Sequence, residues 1–162
     1  MMHALIPGPV MVVAIITNGL LAGLFFVFSI AIGPGLRHVD DRTYVRAFRM
    51  INTAILNGKF LTVFFVAPIA AAGCAVLHLS RDGSASLPAV IIGAVCSALT
   101  FGITAAGNVP LNHELDRAPI NTDHQRRTAR QRFETRWNRR NLARTLTSTG
   151  AVTFLAVASV TG

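Results

Sequence analysis

Amide and guanidinium side chains crowd into one stretch of this chain, residues 108–144. It opens Asn108-Val109-Pro110-Leu111-Asn112, crosses a strongly basic segment, and closes on Arg136-Trp137-Asn138-Arg139-Arg140-Asn141-Leu142-Ala143-Arg144, which holds the only Trp. On a helix, Asn108 and Asn112 share a face, with Pro110 between them demanding a bend or a restart. Trp137, Asn141 and Arg144 follow at i, i+4 and i+7, one stripe carrying an aromatic plane, an amide and a cation. A buried primary amide without partners costs about 1–3 kcal/mol. Groups of this kind gathered in one place imply a polar network, able to bind a polar ligand group or to hold helices in register. An interfacial anchor, with Trp and Arg at head-group depth, is the plainer reading of the same pattern.

The elements that must position these groups are membrane helices. The chain has 162 residues, enough for one domain over 1–162, and its 52% hydrophobic and 14% charged residues lie outside ordinary soluble composition. A hydrocarbon core of ~30 Å needs ~20 apolar helical residues, and four runs are candidates: 10–32, 60–79, 87–107 and 145–160. The last is short and rich in Thr and Ser, which can bond to the preceding turn or to a neighbouring helix. The first lacks a basic lead and is longer than a signal-peptide core, so it reads as a retained span. The expected fold is an all-α integral membrane four-helix bundle.

Charge then sets orientation. The loop 33–59 holds Arg37, Arg42, Arg46, Arg49 and Lys59, and 108–144 holds nine of the remaining ten basic residues. The positive-inside rule places both in the cytoplasm and both termini outside, in a plasma or inner membrane. Anionic lipid head groups account for the net charge of +8, so the bilayer is the expected partner and nucleic acid is not.

Along the chain, Asn18 lies near mid-membrane ahead of Gly19-Leu-Leu-Ala-Gly23, a GxxxG spacing that permits close helix approach or a homo-oligomer. Asn18 reads first as a hydrogen bond across that contact and second as a substrate contact. Phe25, Phe26 and Phe28 are lipid-facing bulk or the wall of an apolar pocket. Gly33-Pro34-Gly35 stops the first helix. Asp40 and Asp41 then start an amphipathic cytoplasmic helix over 42–56, with Tyr44, Ala47, Phe48, Ile51 and Ile55 on its apolar face and Asn52 inside it. His78 reads as solvated at a helix end. Cys74 and Cys96 read as packing thiols with no metal-ligand spacing.

These residues carry a resemblance. Asn108-Val-Pro-Leu-Asn112-x-x-Leu115, followed by Arg136-Trp137-Asn138-x-x-Asn141-x-x-Arg144, is similar to the anthrone oxygenase-like family, also known as domain of unknown function 1772. Gly23-Leu-Phe-Phe-Val-Phe-Ser29, Pro34-Gly-Leu36 and Met50-Ile-Asn52 resemble its other signature positions, so the likeness covers nearly the whole chain. Phe133 stands where relatives often have Trp. The resemblance implies a cofactor-independent oxygenase that converts a flat anthrone to a quinone with O2. An anthrone methylene is acidic because its carbanion is an aromatic enolate, so the protein need only bind the rings, take a proton and stabilise an oxyanion. On that reading Asn108, Asn112, Asn141 and Asn52 donate hydrogen bonds and Arg144 supplies charge. Trp137, Phe133 and Phe25 stack on the rings, and Asn138 and Asn18 are further contacts. His113 is the nominated base, with His38 and Glu114 as alternatives and a solvated loop histidine as the plainer reading.

The spans carry no paired histidines for haem, and there is no phosphate-binding glycine loop, CxxC or nucleophile elbow, so no cofactor or metal site is visible. The competing class is a non-enzymatic scaffold or partner subunit whose Asn and Arg network locks register. A transporter would want charges within the spans or broken helices in repeated halves, for which Pro68 alone is poor support. Catalyst and scaffold part on shape. A catalyst needs a pocket beside Asn108, Asn112, Trp137 and Asn141, and a scaffold fills that space with side chains.

Overall fold

A computed structural model describes residues 7–79 and 85–161; Ser80-Arg81-Asp82-Gly83-Ser84, whose residue types read as a tight polar turn on the outer side, lies outside them. The described residues are all helical, with no strand: α1 (Pro7–Val27), α2 (Gly33–Leu36), α3 (Asp41–Ile55), α4 (Gly58–Leu79), α5 (Leu87–Ile103), α6 (Val109–Arg117) and α7 (Asp123–Thr161). Among the described residues three helices are long and apolar enough to cross a membrane: Gly8–Leu36, Gly58–Leu79 and Leu87–Arg117. Large apolar side chains such as Ile16, Leu20, Ile69 and Leu99 face outward along them. That exterior suits lipid and not water, and it makes the chain an integral membrane protein.

Two of these long helices are continuous where a break was expected. Gly33 does not stop α1; a π-helical turn over Phe28–Ile32 joins α1 to α2, with the Gly33 N–H donating to Phe28 O. A second π-helical turn, Thr104–Asn108, joins α5 to α6 in the same way, the Val109 N–H reaching Thr104 O. Each widened turn comes just before a proline, Pro34 or Pro110. Proline lacks an N–H and crowds the carbonyl one turn back, and the wider turn absorbs both defects while the helix runs on.

α1 packs on α4 and α7, and α5 packs on α4 and α7. The close approaches use glycines other than the expected pair. A Cβ at Gly93 would lie 2.9 Å from Leu155 Cγ, and one at Gly150 would lie 3.3 Å from Cys96 Sγ, so α5 and α7 touch through missing side chains. At Gly23 nothing lies within 4 Å, and at Gly19 only Val152 reaches 4.0 Å. The GxxxG face is therefore not a tight contact within the chain. α7 runs unbroken for 39 residues, about 58 Å of helix, from the basic segment to the C-terminal apolar run.

α3 forms as its pattern predicts. Asp40 caps it, its carboxylate accepting the Thr43 N–H at 3.0 Å and the Thr43 hydroxyl at 2.7 Å, and the cap bonds hold the Asp40 carboxyl below its ordinary range. Tyr44, Val45 and Phe48 are buried in a cluster with Phe28, Leu111, Leu115, Phe133 and Trp137. His78, expected at solvent, is buried, with Nδ1 2.8 Å from Cys74 O.

Candidate functional site

Two arginine clamps fasten the basic half of the molecule. Arg130 donates to Val39 O at 2.8 Å and Arg37 O at 3.2 Å, pairs with Glu134 at 2.8 Å and Asp41 at 3.2 Å, and lies 4.4 Å over the Tyr44 ring. Burial would lower its pKa, but the two carboxylates outweigh that and raise it. Arg49 donates to Leu115 O at 2.8 Å and Ala118 O at 2.7 Å, capping carbonyls at the end of α6. Between these clamps the aromatic cluster closes on Trp137. Its ring centroid lies 5.1 Å from Phe48, 5.3 Å from Phe28 and 6.1 Å from Phe133, and its indole N–H donates to Asn112 Oδ1 at 3.0 Å.

One turn further along α7 sits a polar centre. Asn141 Nδ2 donates to Phe25 O at 2.9 Å and to Ser29 Oγ at 2.8 Å, crossing from α7 to α1. Its Oδ1 accepts from Arg144 Nη2 at 2.8 Å. The Arg144 guanidinium lies 4.1 Å over Phe25 and 5.2 Å over Trp137. Arg144 is only 6% exposed, its Nε has no hydrogen-bond partner in the chain, and among the described residues no carboxylate pairs with it. A cation buried without a counter-ion is costly unless something anionic visits it.

The expected site residues divide. Trp137, Asn112, Asn141, Arg144, Phe25 and Phe133 join this centre or the cluster beside it. Asn138 is half-buried at its edge, 3.5 Å from where a Cβ on Gly33 would stand. Asn108 is 1% exposed, ends the second π-helical turn and has neither amide atom paired. Asn52 is buried on α3 with its Nδ2 unpaired. Asn18 lies two turns away along α1, where Nδ2 reaches Ala14 O at 2.9 Å and Ala67 O at 3.4 Å, bridging α1 to α4, while its Oδ1 has no partner. His113 and His38 are exposed, and Glu114 pairs with Arg136 at 3.4 Å. Ser29 and Thr145, whose hydroxyls meet at 3.2 Å, complete the centre and were not nominated. Spacing places Ser29 one turn from Phe25 and Thr145 one turn from Asn141, but it does not bring the two helices together.

Three cavities adjoin these elements. One of about 270 Å³ is lined by Ser29, Gly33, Pro34, Asn138, Asn141 and neighbours. A second, about 460 Å³, lies between α6 and α7 over Leu111, Leu115 and Phe133, with His124 and Glu114 at its wall. The third follows α5. None of the three is lined by Asn108, Asn112, Trp137 or Arg144. Among the described residues no group of His, Cys, Asp and Glu could hold a metal ion.

Fold and site together define a membrane-embedded helical protein with an amide and guanidinium centre between its helices. The family model for anthrone oxygenase matches residues 53–154, well over half of the chain, and the chain belongs to that family. The match takes in Asn108, Asn112, Trp137, Asn141 and Arg144; the likeness seen over 23–52 lies outside it. Comparisons with curated proteins and with solved structures gave no match.

Proposed function

We propose that this protein is a membrane oxygenase of the anthrone oxygenase type, acting without a cofactor on a flat aromatic substrate. The observation that carries the reading is Arg144, a buried guanidinium with no acidic partner, aimed at an amide that borders a cavity. The substrate sits in the cavity edged by Ser29, Asn138 and Asn141, entering beside the exposed Arg37. Its oxygen takes hydrogen bonds from the Asn138 amide and the Ser29 hydroxyl as the methylene loses a proton. Arg144 acts through Asn141: the charge on its Nη2 polarises the amide, whose two N–H groups are held by Phe25 O and Ser29 Oγ, and the bond to Ser29 Oγ strengthens the Ser29 hydroxyl as a donor to the enolate. No histidine or carboxylate lines this cavity, so water at its mouth takes the proton, and exposed His113 is not required. The enolate then reduces O2. Two methylene hydrogens and four electrons leave the substrate, one oxygen atom becomes the new carbonyl, and the other leaves as water, so no external reductant is needed.

A second reading has its own observation. The space around Trp137 is filled by Phe28, Phe48 and Phe133, as a non-enzymatic scaffold would have it, and about 270 Å³ is just below the roughly 300–1,000 Å³ usual for ligand pockets. In either case we take the C-terminal half of α7 as a fourth span completing a four-helix bundle. Both termini are then outside and the loops 33–59 and 108–144 cytoplasmic, with self-association possible through the open Gly23 face.

Oxygen uptake by the detergent-purified protein supplied with an anthrone, with quinone absorbance followed against a no-protein control, separates the two. Turnover that falls in a folded Asn141→Ala variant supports the oxygenase. A rate equal to the spontaneous one across a panel of anthrones favours the scaffold.

A further inference from the structure

The third cavity shares only Arg139 with the cavity beside Asn141. A groove of about 1010 Å³ follows the contact of α5 with α7. One wall is Val95, Ala98, Leu99, Gly102 and Ile103 of α5 with Ala106 of the following π-helical turn, and the small residues among them hollow it. Val95 and Leu99 are half-exposed, so the groove opens where lipid would be. From Val95 to Gly107 is about 18 Å of helix, a little more than one leaflet's ~15 Å share of the hydrocarbon core.

At one end the apolar wall gives way to three arginines of α7: Arg136, Arg139 and Arg140. Arg140 is pinned, its Nη1 2.6 Å from Gly107 O, and the absent Gly107 side chain makes room, since a Cβ there would meet Arg140 Cδ at 3.1 Å. Its other donors remain free. Arg139 has no hydrogen bond or ion pair among the described residues, and the one acidic partner of Arg136 is a half-exposed Glu114 at 3.4 Å. An apolar channel of acyl-chain length that ends in three guanidinium groups, of which only Arg136 has a carboxylate partner, has complementary demands at its two ends.

We propose that this groove seats one anionic phospholipid of the surrounding bilayer, an acyl chain lying between α5 and α7 and the phosphate held by Arg136, Arg139 and Arg140. Guanidinium forks match phosphate oxygens in pairs. A protein helix in the groove would set the three cations against apolar side chains. A free phosphate would leave the channel unfilled. The inference does not depend on the oxygenase reading.

The test is lipid binding to delipidated protein in a neutral detergent, counted by native mass spectrometry, with phosphatidylglycerol, phosphatidylcholine and glycerol phosphate as probes. Phosphatidylglycerol should bind tightest, and glycerol phosphate should not displace it. Arg136→Gln with Arg139→Gln should weaken phosphatidylglycerol roughly 25-fold, at about 1 kcal/mol per juxtamembrane arginine, and leave phosphatidylcholine unchanged. Gly102→Leu should weaken both lipids, since nothing lies within 4 Å of a Cβ there and the leucine fills the channel without a clash. All three positions are exposed, so the fold survives. Equal affinity for the two lipids, a preference that persists in the double variant, unchanged binding in Gly102→Leu, or displacement by glycerol phosphate would each overturn the proposal.

Discussion

Arg144→Met is the most informative substitution in the molecule, because it removes the buried cation and keeps a long apolar stem. Its costs can be counted. The charged hydrogen bond to Asn141 Oδ1 is worth about 1.5–3 kcal/mol, and the contacts over Phe25 and Trp137 about 0.5–2 kcal/mol each. Against these stands the desolvation of a buried ion, several kcal/mol, which no carboxylate offsets here. The opposing terms nearly cancel, so stability should change by less than about 2 kcal/mol. Turnover should instead fall, though by less than the roughly 10²–10³-fold usual for a donor that touches the oxyanion, because Arg144 acts through Asn141. Denaturation in mixed micelles, followed by the fluorescence of the single Trp, measures the first quantity, and anthrone-dependent oxygen uptake measures the second. Arg144→Lys, which keeps the charge, should recover part of the rate. A loss of more than about 4 kcal/mol, with activity tracking the folded fraction, would make Arg144 a structural brace. Full turnover in a folded Arg144→Met protein would remove the guanidinium from the chemistry.

Three other outcomes follow from the same geometry. Asn141→Ala strands the Arg144 guanidinium without an acceptor and should cost about 3 kcal/mol; combining it with Arg144→Met should restore most of that in a double-mutant cycle of unfolding free energies. Gly93→Ala drives a methyl to 2.9 Å from Leu155 Cγ and 3.3 Å from its backbone N, so it should destabilise by about 1–3 kcal/mol, whereas Gly23→Ala, with open space around it, should be neutral or slightly stabilising in the same thermal assay. Tyr44 is the only Tyr, and burial, with Glu134 adding to it, pushes its phenol pKa up. A raised folded value means that its contribution to stability is complete below the free phenol's value of about 10 and is lost as pH rises through the folded value. Tyrosinate absorbance should therefore appear together with loss of the α3 contacts, and an independent titration near the free value with the helix in place would contradict the burial.

The transmembrane helices were legible because lipid permits little else than long uncharged runs, so α1, α4 and α5 follow from composition almost alone. α3 was legible for a different reason: apolar residues at helical spacing behind an Asp40 cap predict 42–56, against Asp41–Ile55 observed. The continuity of α1 through Gly33-Pro34 was not legible, because the local chemistry of glycine and proline reads as a stop and the widened turn that rescues the helix has no pattern of its own. The stripe of Trp137, Asn141 and Arg144 was found because helical period is a local property. Its counterpart on α1 was missed, since the Ser29 hydroxyl lies 112 residues from the amide it accepts from and no spacing rule reaches that far. The GxxxG motif misled for the same reason. Whether a glycine is used depends on what packs against it: Gly93, Gly107 and Gly150, outside that motif, meet a neighbouring helix within 3.3 Å, and Gly23 inside it meets nothing.

The unbroken length of α7 has a mechanical consequence. The segment gripped by Arg130, the ring stack at Trp137, the amide of Asn141 and the seat of Leu155 against Gly93 are all stations on one rod. About 27 Å of helix separates Leu155 from Trp137. With Leu155 as fulcrum, a swing of roughly 5° would carry the indole through about 2 Å, when a misplacement of about 1 Å already matters to a reacting geometry. The carbonyl grip of Arg130 at the far end works at the longest arm of that lever, so contacts well outside the centre set the alignment within it.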